Sequence, residues 1–318
     1  MVYSEIRRIS RSRLPRSASN HHSGDTSMKL AITSVMLPRW DLSQTFDKLA
    51  AYGYEGLELR VRDNPEDAGA EPSFWGRHLA DVSPTNILDR AAEIRAEVER
   101  SGIPVIALAP RASLGDDGLI DLLFEGAKAI DADNPPMIRI GAPRHDRTEP
   151  YMPQFDAARA GFEKVVDRAL SAGVKALYEI HVGTVAVSCS RTAELMRGLD
   201  ADHIGAIYDV PNMIRVGIED TRMGLELLGP YLAHCHIGNG IPVADKQDLD
   251  GPTDRQDFSW AFADLRRGVA DIPQIIQDLK DVGYSGYVSL EEFGTGDDDE
   301  KVAGQGAYLR HLMEAPGA

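Results

Sequence analysis

The sequence predicts an α/β chain folded as a single (β/α)8 TIM barrel behind a disordered N-terminal extension. Three observations predict it. Short apolar runs alternate with helical patterns eight times along the chain. The 318 residues, 43% of them hydrophobic, can fill one large core. Finally, the last four apolar runs each end on a side chain that is costly to bury without a partner. These are Glu179 after Lys-Ala-Leu-Tyr, Asp209 after Gly-Ala-Ile-Tyr, His236 in Leu-Ala-His-Cys-His and Glu291 after Tyr-Val-Ser-Leu. Four in consecutive units read as one constellation at one end of a barrel. A doubly wound open sheet is the alternative, but Ser34-Val35-Met36-Leu37-Pro38 cannot serve as its Gly-rich phosphate turn.

The elements follow in order. Residues 1–27 are rich in Arg and Ser, with Arg7, Arg8, Arg11, Arg13 and Arg16, and read as a disordered tail preceding Met28. A transit peptide is the other reading. Residues 28–318 form the catalytic barrel domain. Lys29 to Val35 is the first strand, and Leu42 to Ala51 a helix stopped at Gly53. Glu55 to Leu59 is the second strand. A long loop then runs from Arg62 to Ser83 and contains Phe74 and Trp75; connections of that length are usually functional or disordered.

Pro84 to Arg100 is helical, Pro104 to Ala109 the third strand, Gly118 to Ile130 helical and Met137 to Ile140 the fourth strand. Tyr151 to Ala172 is a helix ended by Gly173, followed by a strand from Val174 to Ile180. A helix from Arg191 to Leu199 precedes the strand Ile204 to Tyr208. Glu219 to Leu228 is helical, and Tyr231 to His236 is the seventh strand. A second long loop spans Ile237 to about Asp257. Ile272 to Asp281, Gly286 to Leu290 and Lys301 to Met313 close the pattern as helix, strand and helix.

Net charge is −16 and the pI near 5.0, which argues against nucleic-acid and acidic-membrane partners and suits a cytoplasmic protein. No run approaches the roughly 18 apolar residues that span a bilayer. Two cysteines, Cys189 and Cys235, make a disulfide framework improbable.

Three carboxylates and one imidazole form a hard, oxygen-rich donor set. It favours Mn²⁺, with Mg²⁺ or Co²⁺ as alternatives, over a structural zinc. The period of two in a strand puts Glu179 with His181 and His234 with His236 on one face, and turns Cys235 and Tyr208 toward the helices. Arg139, His145 and Arg144 follow the fourth strand and are placed at the pocket, with a surface role the favoured reading for Arg144. Arg60 and Arg139 are also candidate salt-bridge partners of the acids. Phe74, Trp75 and Trp260 can stack on a sugar.

With these residues in place, the chain resembles the xylose isomerase-like barrels of the sugar phosphate isomerase/epimerase group. The resemblance runs from Met28 to near the C-terminus. It rests on Gly53 to Arg60 (GYEGLELR), Tyr178 to His181 (YEIH), Tyr208 to Met213 (YDVPNM), His234 to Asn239 (HCHIGN) and Val288 to Glu291 (VSLE). It implies metal ligands at Glu179, Asp209, His236 and Glu291, with Glu179 and Glu291 also serving as acid and base, as in tagatose and psicose 3-epimerases. Beyond that set, His181, Asn212, His234, Arg60, Trp75 and His145 are the candidate substrate contacts, and the resemblance suggests a dimer or tetramer.

Departures are specific. The epimerases carry His where this chain has Asn212, and Gly-Glu where it has Gly238-Asn239; many other members have Lys at position 238. The expected activity is a metal-dependent sugar isomerase or epimerase. The rival in the same fold is a lyase, either an inosose dehydratase or the large subunit of a C-glycoside deglycosidase with a small partner chain. An endonuclease IV-like DNA repair enzyme and a non-catalytic sugar-binding barrel are further alternatives. Asp245, Asp248, Asp250, Asp254 and Asp257 in the second long loop point to a neutral carbohydrate rather than a sugar phosphate.

Overall fold

The computed structural model describes residues 27–66, 69, 71–245, 251 and 254–316. The tail expected over residues 1–27 lies outside the described residues except for Ser27. The barrel strands are β1 (Lys29–Thr33), β2 (Gly56–Arg60), β3 (Val105–Ala109), β4 (Met137–Arg139), β5 (Ala176–Glu179) and β6 (Ile204–Asp209). They are followed by β7 (Leu232–Ile237) and, after a hairpin of β8 (Asn239–Ala244) and β9 (Phe258–Ala263), by β10 (Tyr287–Leu290). The eight barrel strands are parallel, and β10 closes the ring between β7 and β1. The expected closed barrel is therefore the fold.

Around the barrel lie α1 (Leu42–Ala51), α2 (Ile87–Ser101), α3 (Asp117–Ile130), α4 (Tyr151–Ala172) and α5 (Cys189–Met196). They continue with α6 (Val210–Met213), α7 (Thr221–Leu228), α8 (Ile272–Asp281) and α9 (Asp298–Glu314). Local chemistry sets their ends. Asp41 and Gln44 form a reciprocal capping box at the start of α1. Gly173 takes a left-handed conformation, φ 69°, to stop α4.

The strand period of two separates two kinds of core. Outward-facing residues such as Tyr178, Tyr208, Cys235 and Val288 pack against the helices with Phe162, Leu225 and Ile276. Phe162 meets Tyr178 edge-on with ring centres 5.4 Å apart, a geometry that adds about 0.5–1.5 kcal/mol to burial. Inside the barrel, Ala31, Ile106, Ala107, Leu177 and Ile207 form a smaller apolar plug. The next inward positions along the same strands are polar: Glu179 follows Leu177, and Asp209 follows Ile207. The site stands on this plug. Register irregularities lie beside two of its acids: β3 carries an extra residue, Ile106, opposite Leu57/Glu58, and β7 an extra residue, Ala233, opposite Ala206/Ile207.

Two stretches differ from expectation. The second long loop contains β8, which pairs with β9 just beyond the loop's expected end to form an antiparallel hairpin, with Gly240 opposite Phe262 and Pro242 opposite Trp260. Its alternation is hidden because both faces stay largely accessible, with Ile241, Val243, Phe258 and Phe262 exposed. Pro242 is tolerated because a two-stranded ribbon has only edges. The four-residue α6 also went unpredicted; Asp209 nucleates it by accepting the Asn212 N–H at 2.8 Å.

The first long loop is ordered over its described residues by buried polar contacts. Arg60 Nη1 donates to the Arg62 carbonyl at 2.8 Å, and Nη2 to the Gly76 carbonyl at 3.3 Å. The Asn64 side chain donates to the His78 carbonyl at 3.1 Å and accepts the His78 N–H at 2.9 Å. No helix among the described residues is long and apolar enough to cross a membrane.

Candidate metal and active site

The ends of β5, β6, β7 and the residue after β10 bring Glu179, Asp209, His236 and Glu291 together. One ligand atom from each lies within 4.8 Å of all the others. His236 Nδ1 is 3.1 Å from Asp209 Oδ2, 3.3 Å from Glu291 Oε2 and 3.4 Å from Glu179 Oε1. Nitrogen and oxygen ligands held about 2.0–2.2 Å from one cation sit roughly 3.0–3.6 Å apart, so the spacing fits a shared ion. A single imidazole N–H cannot serve three carboxylates, whereas a central cation can.

The electrostatics agree. Asp209 is fully buried, and that burial, followed by the nearby Glu291 charge, pushes its carboxyl up to about 7. Burial alone would also raise Glu179, but the Arg139 guanidinium, then His236, hold it well below the usual carboxylate range. Arg139 Nη1 donates to both Glu179 oxygens at 2.8 and 3.0 Å. The salt-bridge role considered for Arg139 therefore exists, and it leaves Glu179 beside the other three ligands. A divalent cation at the centre would relieve the remaining repulsion.

Glu58 on β2, absent from the sequence expectations, underlies this set. Its Oε2 accepts from His236 Nε2 at 2.7 Å and from His234 Nε2 at 3.0 Å. It thereby turns His236 Nδ1 toward the acids, the arrangement by which a carboxylate orients a metal-binding imidazole. The cue was available, since Glu58 is itself a carboxylate inside an apolar run, Gly-Leu-Glu-Leu.

Above the cluster opens a cavity of about 480 Å3, lined by Glu179 and Glu291 together with His181, Asn212 and Trp75. His181 Nδ1 donates to the Val182 carbonyl at 2.8 Å, which leaves Nε2 free for a ligand. Asn212 Oδ1 accepts the Val182 N–H at 3.3 Å. Trp75 stacks against Phe293 with ring centres 4.7 Å apart, and Phe262 from β9 meets the same ring at 5.2 Å.

Three of the expected substrate contacts lie elsewhere. His234 is fully buried beneath the site, engaged with Glu58. Arg60 is buried and tied to loop carbonyls. His145 packs edge-on against Tyr151, with centres 5.5 Å apart, and does not line the cavity. Arg144, read as a surface residue, does line it, as do Arg62, Arg111, Arg139 and Arg215. Arg62, Arg111 and Arg215 went unread because their loops meet only in the folded chain.

The comparisons with known proteins agree with this architecture. A curated inosose dehydratase from Lacticaseibacillus casei is 20% identical over 146 residues, 43% of this chain and 47% of the dehydratase. The matched stretch thus spans about half the length of that relative. The 3-keto-D-glucoside 4-epimerase of E. coli superposes with a TM-score of 0.64 at 14% identity, covering 89% of this chain and 99% of the epimerase. A xylose isomerase-like TIM-barrel protein from Mycobacterium smegmatis, solved in complex with magnesium, gives a TM-score of 0.63 at 15% identity, covering 90% and 96%. The model of the xylose isomerase-like TIM-barrel family matches residues 46–312, most of the chain, and the chain belongs to that family.

Proposed function

We propose that this protein is a divalent-metal-dependent enzyme that removes a proton beside a carbonyl of a sugar or keto-sugar and returns it elsewhere, as an isomerase or epimerase. One observation carries the reading: three carboxylates and an imidazole converge within ligand distance under a cavity that two of those carboxylates also line. Bound there, a divalent cation supplies Lewis acidity that makes a C–H next to a polarised carbonyl more acidic. Mn²⁺ is the favoured ion, with Mg²⁺ and Co²⁺ as alternatives.

The chain's own groups do the rest. Glu179 and Glu291 stand on β5 and after β10, three strand positions apart on the ring, and so reach a substrate from different sides. Glu291 is the proton acceptor in this reading, and Glu179, held ionised by Arg139, faces the other side and returns a proton there after first taking one up from solvent or a substrate hydroxyl. Positioned acid–base groups contribute about 10²–10⁴-fold. His181 Nε2 and the Asn212 amide orient hydroxyls. Trp75, Phe262 and Phe293 form an apolar wall that excludes water from the reacting carbon.

A second reading is a lyase, in which the proton's departure expels a group from the next carbon. His181, beside Glu179, supplies the extra acid that a leaving hydroxyl needs when its ring is in the imidazolium form, with Nδ1–H held by the Val182 carbonyl and Nε2–H given to the departing oxygen, and the dehydratase relative supports it. We place the enzyme in the cytoplasm as a homo-oligomer, with a small partner chain if it cleaves glycosides.

The test combines metal analysis of the purified protein with deuterium uptake from solvent by a panel of ketoses and keto-glycosides. Glu291→Gln is expected to keep most of the metal and lose at least a hundredfold in exchange rate. Unchanged exchange in that variant removes Glu291 from the reaction. A product lighter by one water selects the lyase.

A further inference from the structure

The cavity contains a second set of groups that the proton transfer does not use. Arg62, Arg111, Arg144 and Arg215 line it together with Glu179 and Glu291. They arrive on four separate connections, after β2, β3, β4 and α6. Arginines on the outer surface, such as Arg39, Arg90, Arg100, Arg168 and Arg222, pair with carboxylates. Among the described residues none of the four cavity arginines does so. Arg62 is buried and donates through Nε to the Ala109 carbonyl at 3.0 Å, and among the described residues its two terminal nitrogens have no hydrogen-bond partner.

Charge balance sharpens the point. The three carboxylates of the metal cluster are matched by a divalent cation together with Arg139. Glu58 below adds one negative charge. Four guanidinium groups then face a single cavity with no comparable counter-charge, in a chain whose net charge is −16. Like charges gathered against the trend of the whole molecule need a ligand of opposite sign. Guanidinium is the group best matched to the two oxygens of a carboxylate or phosphate.

We propose that the substrate carries an oxyanion, a carboxylate or a phosphate, which Arg62, Arg111, Arg144 and Arg215 hold within the cavity while its carbonyl end meets Glu179 and Glu291. This rests on the function proposed above and specifies its substrate class. It replaces the neutral carbohydrate expected from the acidic loop. Of that loop's acids, Asp245, Asp254 and Asp257 are exposed and away from the cavity lining, with Asp257 paired to Arg255. Asp248 and Asp250 lie outside the described residues.

The test is calorimetric titration of the metal-loaded full-length protein with D-glucuronate, D-glucose 6-phosphate and D-glucose. At least one acid is expected to bind about tenfold or more tightly than glucose, equivalent to about 1.4 kcal/mol. That advantage is expected to shrink with added salt and to fall about tenfold in Arg111→Ala/Arg215→Ala, with glucose binding unchanged. Whichever acid binds more tightly names the oxyanion. Arg144→Gln serves as a second variant if circular dichroism shows the double variant misfolded.

The proposal is overturned if neither acid outbinds glucose, or if the preference survives the variants. Deuterium exchange, read separately, keeps the two readings apart. Anion preference without exchange on any substrate sinks the proposed activity alone. Equal exchange and affinity for neutral and acidic ketoses sinks this inference alone.

Discussion

Glu58 does not line the cavity, yet it accepts from both buried imidazoles, His234 and His236. Burial would raise its carboxyl, but His236, followed by His234, keeps it ionised well below the usual range. Glu58→Gln leaves the ligand set intact and removes the acceptor that orients His236. Metal affinity is expected to drop by about 10–100-fold, read by competition with a chromophoric chelator. An unchanged affinity would mean that packing alone orients the ring. Gly238 follows β7, and a Cβ there would stand 1.9 Å from the Glu291 carbonyl oxygen. Gly238→Ala must therefore displace the Glu291 backbone. It is expected to lower stability by about 1–3 kcal/mol in denaturant titration and to reduce proton exchange more than metal content. The four converging residues were readable in sequence because each ends an apolar run. Glu58 went unread because it lies inside its apolar run, before Leu59, and Arg60 at that strand's end was the residue expected to meet the acids. The structure instead ties Arg60 to carbonyl oxygens.

The element that most shapes the cavity is the long connection between β2 and α2. His78 fastens it: buried among loop residues, it donates through Nε2 to the Phe74 carbonyl at 3.1 Å. Burial, then the Arg60 charge, lowers its imidazole from 6.5 to about 3. The folded state thus keeps His78 neutral where the unfolded chain binds a proton. Stability is full above pH 6.5 and is lost as pH falls toward 3. Over pH 6.5 to 5, His78→Gln is expected to flatten the pH dependence of unfolding free energy by up to about 1.4 kcal/mol per pH unit. A slope equal to wild type would show that His78 protonates freely in the fold. At this scale the strands and helices were legible because their periods of 2 and 3.6 are driven by one-sided burial. The β8–β9 hairpin was not, because a ribbon with exposed Ile241, Val243 and Phe258 buries no consistent face.

At the scale of the whole molecule, eight strand ends gather their acids on top of an apolar plug, and that arrangement trades stability for chemistry. Stripping the protein with a chelator leaves Glu179, Asp209 and Glu291 facing one another in a buried site. The thermal midpoint is expected to fall on chelation. Resupplied metal at a hundred times its Kd restores about 2.7 kcal/mol. In stripped protein the raised Asp209 carboxyl opposes folding increasingly as pH rises from 3.8 to about 7. Asp209→Asn is therefore expected to melt above stripped wild type at pH 8, and to gain nothing from added metal. A stripped variant no more stable than stripped wild type would show that the cluster is not under charge strain. The closed ring was visible in the order of the sequence's elements, whereas the arginine lining was not, since its members converge only through loops distant in the chain. The β8–β9 ribbon leaves the barrel directly after the residues that follow His236, and its far strand brings Phe262 over the cavity. Because this flap is grafted onto a finished cylinder, exchanging it among homologous scaffolds offers a route to reshape the roof of the cavity while the converging carboxyls stay untouched.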